Sequence, residues 1–308
     1  MVRALTFVFI FIWPGLGFGL TFVLPKAGND LVGESRVAQV KSGENLSDVA
    51  LRFDVGYYEM FEANPGVDPD NPPVNTVLIV PTQYILPQGL KKRENIIVIN
   101  VAEMRLYYRR ANKVYIYPVG IGKEDWETPL GDMTIVRKVK NPTWHVPKSI
   151  YKFREAIGDK ISRTVPPGPD NPLGRYALYL SVTGSLIHGT NLYSGVGRRS
   201  SAGCIRLYER DIAELYSLVT VGTKVIIINK PYKAGWSDKK LYLEAHMPLF
   251  EQRLEMGDDM KPALDVVTEA TTNHKVIVDW KEVYKIAKEH LVIPRIVRQL
   301  SFAYNCYL

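Results

Sequence analysis

The chain has 308 residues, 46% hydrophobic and 23% charged, with a net charge of +7. That length exceeds an ordinary single domain, and the balance excludes both a disordered acidic chain and a wholly membrane-embedded one. The basic excess suits an acidic polymer or an anionic surface; with the basic residues largely dispersed, Lys91–Arg93 and Arg198–Arg199 being clusters, and no recognisable motif, nucleic acid is not an expected partner.

The N-terminus reads as an export signal. Arg3 supplies a positive start, Ala4–Trp13 an apolar stretch, and Gly17-Phe18-Gly19 small residues at cleavage spacing. Residues 1–19 are therefore an expected signal peptide cut after Gly19. Pro14 interrupts the stretch too early for a spanning helix, so no stable membrane span is expected after cleavage. Residues 20–36 form a short lead-in.

Residues 37–83 read as a small βααβ unit. Val37–Val40 is a strand and Lys41–Asn45 a turn, with Ser47 as N-cap of a helix that lines up Val49, Ala50 and Phe53. Tyr57–Ala63 forms a second helix closed by Asn64-Pro65-Gly66, and Thr76–Val80 a last strand. Pro81–Lys92 reads as a linker.

The main domain is expected over 94–230. Ile96–Asn100, Met104–Arg109 and Val114–Val119 are β-branched and aromatic runs that read as a meander, followed by a strand at Met133–Lys140 and a short helix at Ser149–Ile157. Val165–Gly174, with four prolines and two glycines, is a rigid loop expected to wall a cleft. Tyr179–Val182, the Gly184–Ser185 turn and Leu186–Ile187 form a hairpin that delivers His188 at a strand end. Ser201-Ala202-Gly203-Cys204 is a tight turn, and Glu209–Val219 an amphipathic helix whose N-terminal end lies near Cys204. Val225–Ile228 closes the domain. In 231–308, a C-terminal extension expected to pack on it, Leu241–Ala245 is a strand and Asp279–His290 a helix with Trp280, Val283, Tyr284 and Ala287 in line.

The chemistry concentrates at His188 and Cys204. A free thiol ionises near pH ~8.5, and a neighbouring imidazole makes it a nucleophile at neutral pH. Composition alone leaves a Cys204–Cys306 disulfide open, since two cysteines in an exported chain pair by default. His145, His246, His274 and His290 lack metal-ligand spacing, Gly195-Val196-Gly197 lacks a dinucleotide-binding setting, and no Gly-x-Ser-x-Gly elbow is present. No metal or cofactor is expected.

His188-Gly189-Thr190 and Ser201-Ala202-Gly203-Cys204-Ile205-Arg206-Leu207 resemble the catalytic signature of the YkuD-type L,D-transpeptidases. Glu62–Val67, Ala102–Tyr108 and Pro167–Gly174 resemble its Gram-negative ErfK/YbiS-like branch. Family members usually carry histidine where this chain has Ala202. The resemblance implies a mainly β fold with short helices (α+β), a β-sandwich catalytic domain after a LysM-like glycan-binding domain at 37–83. It implies Cys204 as nucleophile, His188 as proton donor and acceptor, and the Gly189 carbonyl orienting the His188 ring. Ala202 and Gly203 would supply oxyanion-hole N–H groups, each worth ~3 kcal/mol. Arg206, Ser201, Thr190, Asn191 and Arg199 are the expected substrate-binding residues.

The implied function is periplasmic acyl transfer on peptidoglycan. The thiolate attacks the diaminopimelate–D-Ala bond of a tetrapeptide stem, D-Ala leaves, and an amine takes the acyl group. That amine belongs to another stem, giving a 3→3 cross-link, or to a lysine of an outer-membrane lipoprotein. The alternatives are an L,D-carboxypeptidase, with water as acceptor, and a non-catalytic peptidoglycan-binding protein.

Overall fold

The computed structural model describes residues 19–159, 161–257 and 259–298. The expected leader up to Phe18, and Cys306 with its proposed bridge, lie outside the described residues.

Strands β1 (Leu20–Val23) and β2 (Leu31–Gly33) precede the N-terminal unit of β3 (Arg36–Gln39), α1 (Leu46–Phe53), α2 (Tyr57–Ala63) and β4 (Val77–Val80). β3 and β4 pair antiparallel, from Arg36↔Val80 to Gln39↔Val77. Val40, Leu46, Val49, Ala50, Met60 and Leu78 fill its core. Asn45, not Ser47, caps α1. Its side chain accepts from the Asp48 N–H at 3.1 Å, and Asp48 accepts the Asn45 N–H at 2.9 Å, a reciprocal box. Ser47 falls inside the first turn and is buried.

The expected linker is structured. β5 (Gln83–Ile85) pairs antiparallel with β2, and Tyr84, Ile85 and Leu90 are fully buried. Its apolar residues seal the joint between units, where a solvated linker would be polar. The lead-in likewise belongs to the main sheet, because β1 pairs with β8 below.

The main domain begins with β6 (Ile96–Asn100), β7 (Arg105–Arg110) and β8 (Lys113–Pro118), then β9 (Ile121–Gly122) and β10 (Gly131–Lys140). The short strands β11 (Trp144–His145) and β12 (Thr164–Val165) flank α3 (Lys148–Ala156). There follow β13 (Tyr176–Leu180), β14 (Leu186–His188), β15 (Arg199–Ser201), β16 (Ile205–Arg206), α4 (Glu209–Leu218) and β17 (Lys224–Ile228). The strand order is β1-β8-β7-β6-β17-β10-β13-β14-β16. β10 serves both halves of this sheet: Gly131–Thr134 pair with β17, and Ile135–Lys140 with β13. A register shift between Ile135 and Arg137 bends the strand there. Both halves and α4 contribute to one core, including Ile97, Leu106, Leu178, Ile187, Ile205 and Ile212.

The C-terminal unit contains β18 (Tyr232–Ser237), β19 (Lys240–Ala245), α5 (Phe250–Met256), α6 (Lys261–Thr271), α7 (Trp280–Glu289) and β20 (Arg295–Ile296). Asp279 caps α7 by accepting the Glu282 N–H at 3.1 Å. The buried face is Val283, Ile286 and Ala287, while Trp280 and Tyr284 are 42% and 48% exposed, so the stripe is rotated from the expected one. Lys233 ties the units together: its Nζ donates to Ile85 O at 2.7 Å and Glu103 Oε2 at 2.8 Å. Among the described residues, no helix is long and apolar enough to cross a membrane.

Candidate active site

Strands β14 and β16 set the geometry. They pair in parallel, Ile187 with Ile205 and His188 with Arg206, and both isoleucines face the core. Alternation puts Leu186, His188 and Arg206 on the opposite face, and Cys204, one residue before β16, shares it. Two residues' rise and one strand spacing separate the His188 and Cys204 Cα atoms by about 8 Å, within the combined reach of an imidazole and a thiol.

His188 is 3% exposed, with Nδ1 2.6 Å from Gly189 O. A carbonyl only accepts, so Nδ1 carries the proton and Nε2 keeps its lone pair. Burial, and then the Arg206 cation, push the His188 pKa down to about 3, although the Gly189 carbonyl opposes them. Burial pushes the Cys204 thiol up, against the Leu186 backbone and Arg206. The resting pair at neutral pH is therefore neutral thiol and neutral imidazole. Its thiol donates to Gly184 O at 3.6 Å. Such a pair suits proton transfer coupled to bond formation better than a standing ion pair.

The turn before β16 is held by Ser201, whose Oγ donates to Cys204 O at 2.6 Å. Gly203 has φ +92°, a conformation that strains any side chain, and a Cβ there would meet Glu127 O at 3.2 Å. The N–H groups of Ala202, Gly203 and Cys204 bond to no other described residue. They form a row of donors of the kind that stabilises an oxyanion.

Arg206 is half-buried, and its buried Nε has no partner among the described residues. Its charge lowers the pKa of both His188 and Cys204. Arg206→Met is expected to move the pH dependence of Cys204 alkylation by iodoacetamide to higher pH. An unmoved profile would show that the cation does not act on the sulfur.

Residues 94–227 match the L,D-transpeptidase catalytic domain, and residues 38–81 match the LysM domain. The chain is 44% identical over 240 residues to the probable L,D-transpeptidase YcfS of Escherichia coli, covering 75% of this chain and 74% of that protein. It is 42% identical over 236 residues to the probable L,D-transpeptidase YbiS of Escherichia coli (75% and 76% covered). The probable L,D-transpeptidase ErfK/SrfK of Salmonella typhimurium is 40% identical over 264 residues (84% of each). The chain belongs to the L,D-transpeptidase family. The mostly β build with few short helices and the N-terminal LysM domain agree with the sequence-based expectation.

In this L,D-transpeptidase the LysM domain grips the loop between His188 and Cys204. Tyr193 OH donates to Asp48 Oδ1 at 2.9 Å, Tyr58 N–H to Gly197 O at 3.1 Å, and Arg198 to Ser47 Oγ at 3.3 Å. The Arg198 guanidinium also lies over the Tyr57 ring, 3.2 Å from its centroid. Beyond the loop, Tyr208 OH donates to Val55 O at 3.1 Å, and Glu59 pairs with buried Arg105.

The remaining expected site residues are distributed. Thr190 is buried and exchanges hydrogen bonds with Leu192, while Asn191 is exposed. Arg199 is engaged: Nε donates to Gly122 O at 3.0 Å, and the fork pairs with Glu251 of α5 at 2.7 and 3.2 Å. Glu209 is a residue the sequence reading missed. Its carboxylate accepts from Arg175 Nε at 3.1 Å, and a Cβ on Gly174 or Gly189 would lie within 1.9 Å of its Oε1. The first turn of α4 thus meets the Gly189 turn, and a side chain at either glycine would displace this carboxylate. In Val165–Gly174, buried Asn171 holds the loop by donating to Pro142 O at 2.9 Å and accepting the Leu173 N–H at 2.9 Å.

One group of possible metal ligands exists among the described residues, Glu103, Glu244 and His246. The Lys233 ammonium stands 2.8 Å from Glu103 and 3.1 Å from Glu244, supplying the positive charge a metal would bring. The group reads as a buried ion-pair network.

Proposed function

We propose that the protein is an exported, periplasmic L,D-transpeptidase of peptidoglycan with Cys204 as nucleophile and His188 as its base. The observation that carries this reading is the parallel β14–β16 register, which puts ring and thiol on one face beside the free N–H groups of 202–204. The Cys204 side chain turns from Gly184 O toward Nε2 as a tetrapeptide stem enters. Sγ bonds to the carbonyl carbon at the L-centre of diaminopimelate while its proton passes to Nε2. The oxyanion is held by the 202–204 donors. Collapse breaks the bond to D-Ala, whose nitrogen takes the proton back from Nε2. An amine then attacks the thioester, loses a proton to Nε2 and expels the thiolate, which that proton restores to thiol.

Arg206 is suited to a stem carboxylate, having charge and an unsatisfied N–H. The LysM domain is assigned to glycan strands. The acceptor is another stem or a lipoprotein lysine, with water as the competing, carboxypeptidase outcome.

Intact-mass measurement after carbapenem treatment tests the reading. One adduct is expected on the wild type and none on Cys204→Ala; no adduct on the wild type would leave a wall-binding protein. Muropeptides and lipoprotein-linked stems formed by the purified protein then identify the acceptor by mass.

A further inference from the structure

The C-terminal unit contributes no residue to the proposed chemistry, yet one of its side chains reaches the loop that carries it. Glu251, in the first turn of α5, meets the Arg199 fork of β15 at 2.7 and 3.2 Å. Both side chains are largely withdrawn from water, 14% of Arg199 and 31% of Glu251 being exposed. Burial alone would raise the Glu251 carboxyl, but the hydrogen bond and charge of Arg199 hold it below its ordinary value, so it is ionised at neutral pH. A planar guanidinium met by two carboxylate oxygens is fixed in direction as well as in position. Nor is α5 free to drift. Leu249, just before it, is buried in the core of the main domain, and Glu244 of β19 accepts the Ile85 N–H at 2.8 Å.

Arg199 in turn holds the approach to the turn at 201–204. Its Nε donates to Gly122 O at 3.0 Å, across the parallel pair of β9 and β15. Arg199 pairs with Ile121 and Ser201 with Gly122, so Ser200 is an extra residue that bulges from the ladder. Its Oγ donates instead to Gly195 O at 2.8 Å. A bulge re-aims the strand that carries it, and here the bulged strand leads into the turn. Beyond it, Ser201 O accepts the Lys123 N–H at 3.0 Å, and Ser201 Oγ donates to Cys204 O at 2.6 Å. Glu251, Arg199, Gly122 and Ser201 thus form one line of contacts that ends on the turn bearing the free N–H groups of 202–204.

We propose that Glu251 is a positioning residue for acyl transfer: acting through Arg199, it sets the direction of the Ser201–Cys204 turn and so the aim of its oxyanion donors. The C-terminal unit then belongs to the working enzyme, holding the loop at residue 199 as the LysM domain holds it at 193–198. This rests on Cys204 being the acyl-transfer nucleophile. Attack on a carbonyl needs the donors, whereas alkylation by iodoacetamide displaces iodide from a saturated carbon and develops no oxyanion.

The test compares those two reactions at Cys204 in the full chain. Glu251→Ala is expected to lower the rate of carbapenem acylation at least about tenfold, since a misplacement of about 1 Å in an aligned site costs that or more. Iodoacetamide labelling of Cys204, read by peptide mass mapping, should keep its wild-type rate and pH profile. Glu251→Gln, which preserves shape and an acceptor for the fork, should recover most of the lost acylation. Arg199→Gln should show the same split as Glu251→Ala, a readout that stands if the latter fails to fold, and the double variant should lose no more than either single one. Unchanged acylation in Glu251→Ala, an equal fall in both reactions, or additive losses in the double variant overturns the proposal. A wild type that forms no carbapenem adduct on Cys204 overturns the enzymatic reading and this inference with it; a wild type that acylates no faster than Glu251→Ala overturns this inference alone.

Discussion

Replacing His188 with alanine lowers the rate of Cys204 acylation by at least about 100-fold, the scale of a lost general base. The reason is local. The thiol is raised by burial, so little thiolate exists at neutral pH without a proton acceptor, and the adjacent Arg206 lacks a basic site. Stopped-flow acylation by a carbapenem measures the effect, and near-wild-type rates would remove His188 from the mechanism. Stability supplies a second readout. The folded His188 pKa of about 3 lies below the unfolded value of about 6.5. Its contribution is therefore complete above pH ~6.5 and is lost as pH falls toward the folded value. The alanine variant should lose less stability than the wild type across that window, as denaturant titrations at several pH values would show.

Gly197→Ala should be the most damaging single methyl in the loop between His188 and Cys204. Gly197 has φ +71°, and a Cβ there would stand 2.2 Å from the Tyr57 backbone nitrogen and 2.4 Å from Gly56 Cα. The left-handed conformation alone costs about 1–2 kcal/mol with a side chain. The clash adds to this, because both obstructing atoms are backbone at the start of α2. The contact yields by moving the LysM domain away from the loop, breaking the Tyr58–Gly197 hydrogen bond and the Arg198–Tyr57 stacking. A Tm drop of several degrees with at least a tenfold loss of acylation rate is expected. A variant that keeps its rate would show that the loop holds its shape without the domain above it.

The elements that position the site were legible because they are strongly patterned. The β-branched runs of β6 to β8, the hairpin before His188 and the Ile212/Leu215 face of α4 all fall where periodicity places them. What escaped depends on tertiary contacts. Asn45 and Ser47 are both good caps, and only the fold reveals that Ser47 is needed inside the helix to meet Arg198. Residues 83–85 look like a proline-bounded linker because their strand partner lies fifty residues upstream. Trp280 and Tyr284 are large and in phase, yet the smaller Val283, Ile286 and Ala287 fit beneath β19. Arg199 and Glu209 have their partners, Glu251 and Arg175, far away in sequence, so neither pairing could be read from spacing.

The β14–β16 ladder separates two problems that enzymes often have to solve together. The offset between the proposed base and the proposed nucleophile is metered by strand register, and the fifteen-residue excursion from Gly189 to Gly203 starts and ends on that fixed ruler. Insertions or exchanges at the exposed Asn191 and Leu192 are therefore expected to reshape the outside of this loop and leave the proposed reacting pair aligned. This stretch is the part of the loop free to change, and the neighbouring 193–198 segment, held by the LysM domain, is the part to leave alone.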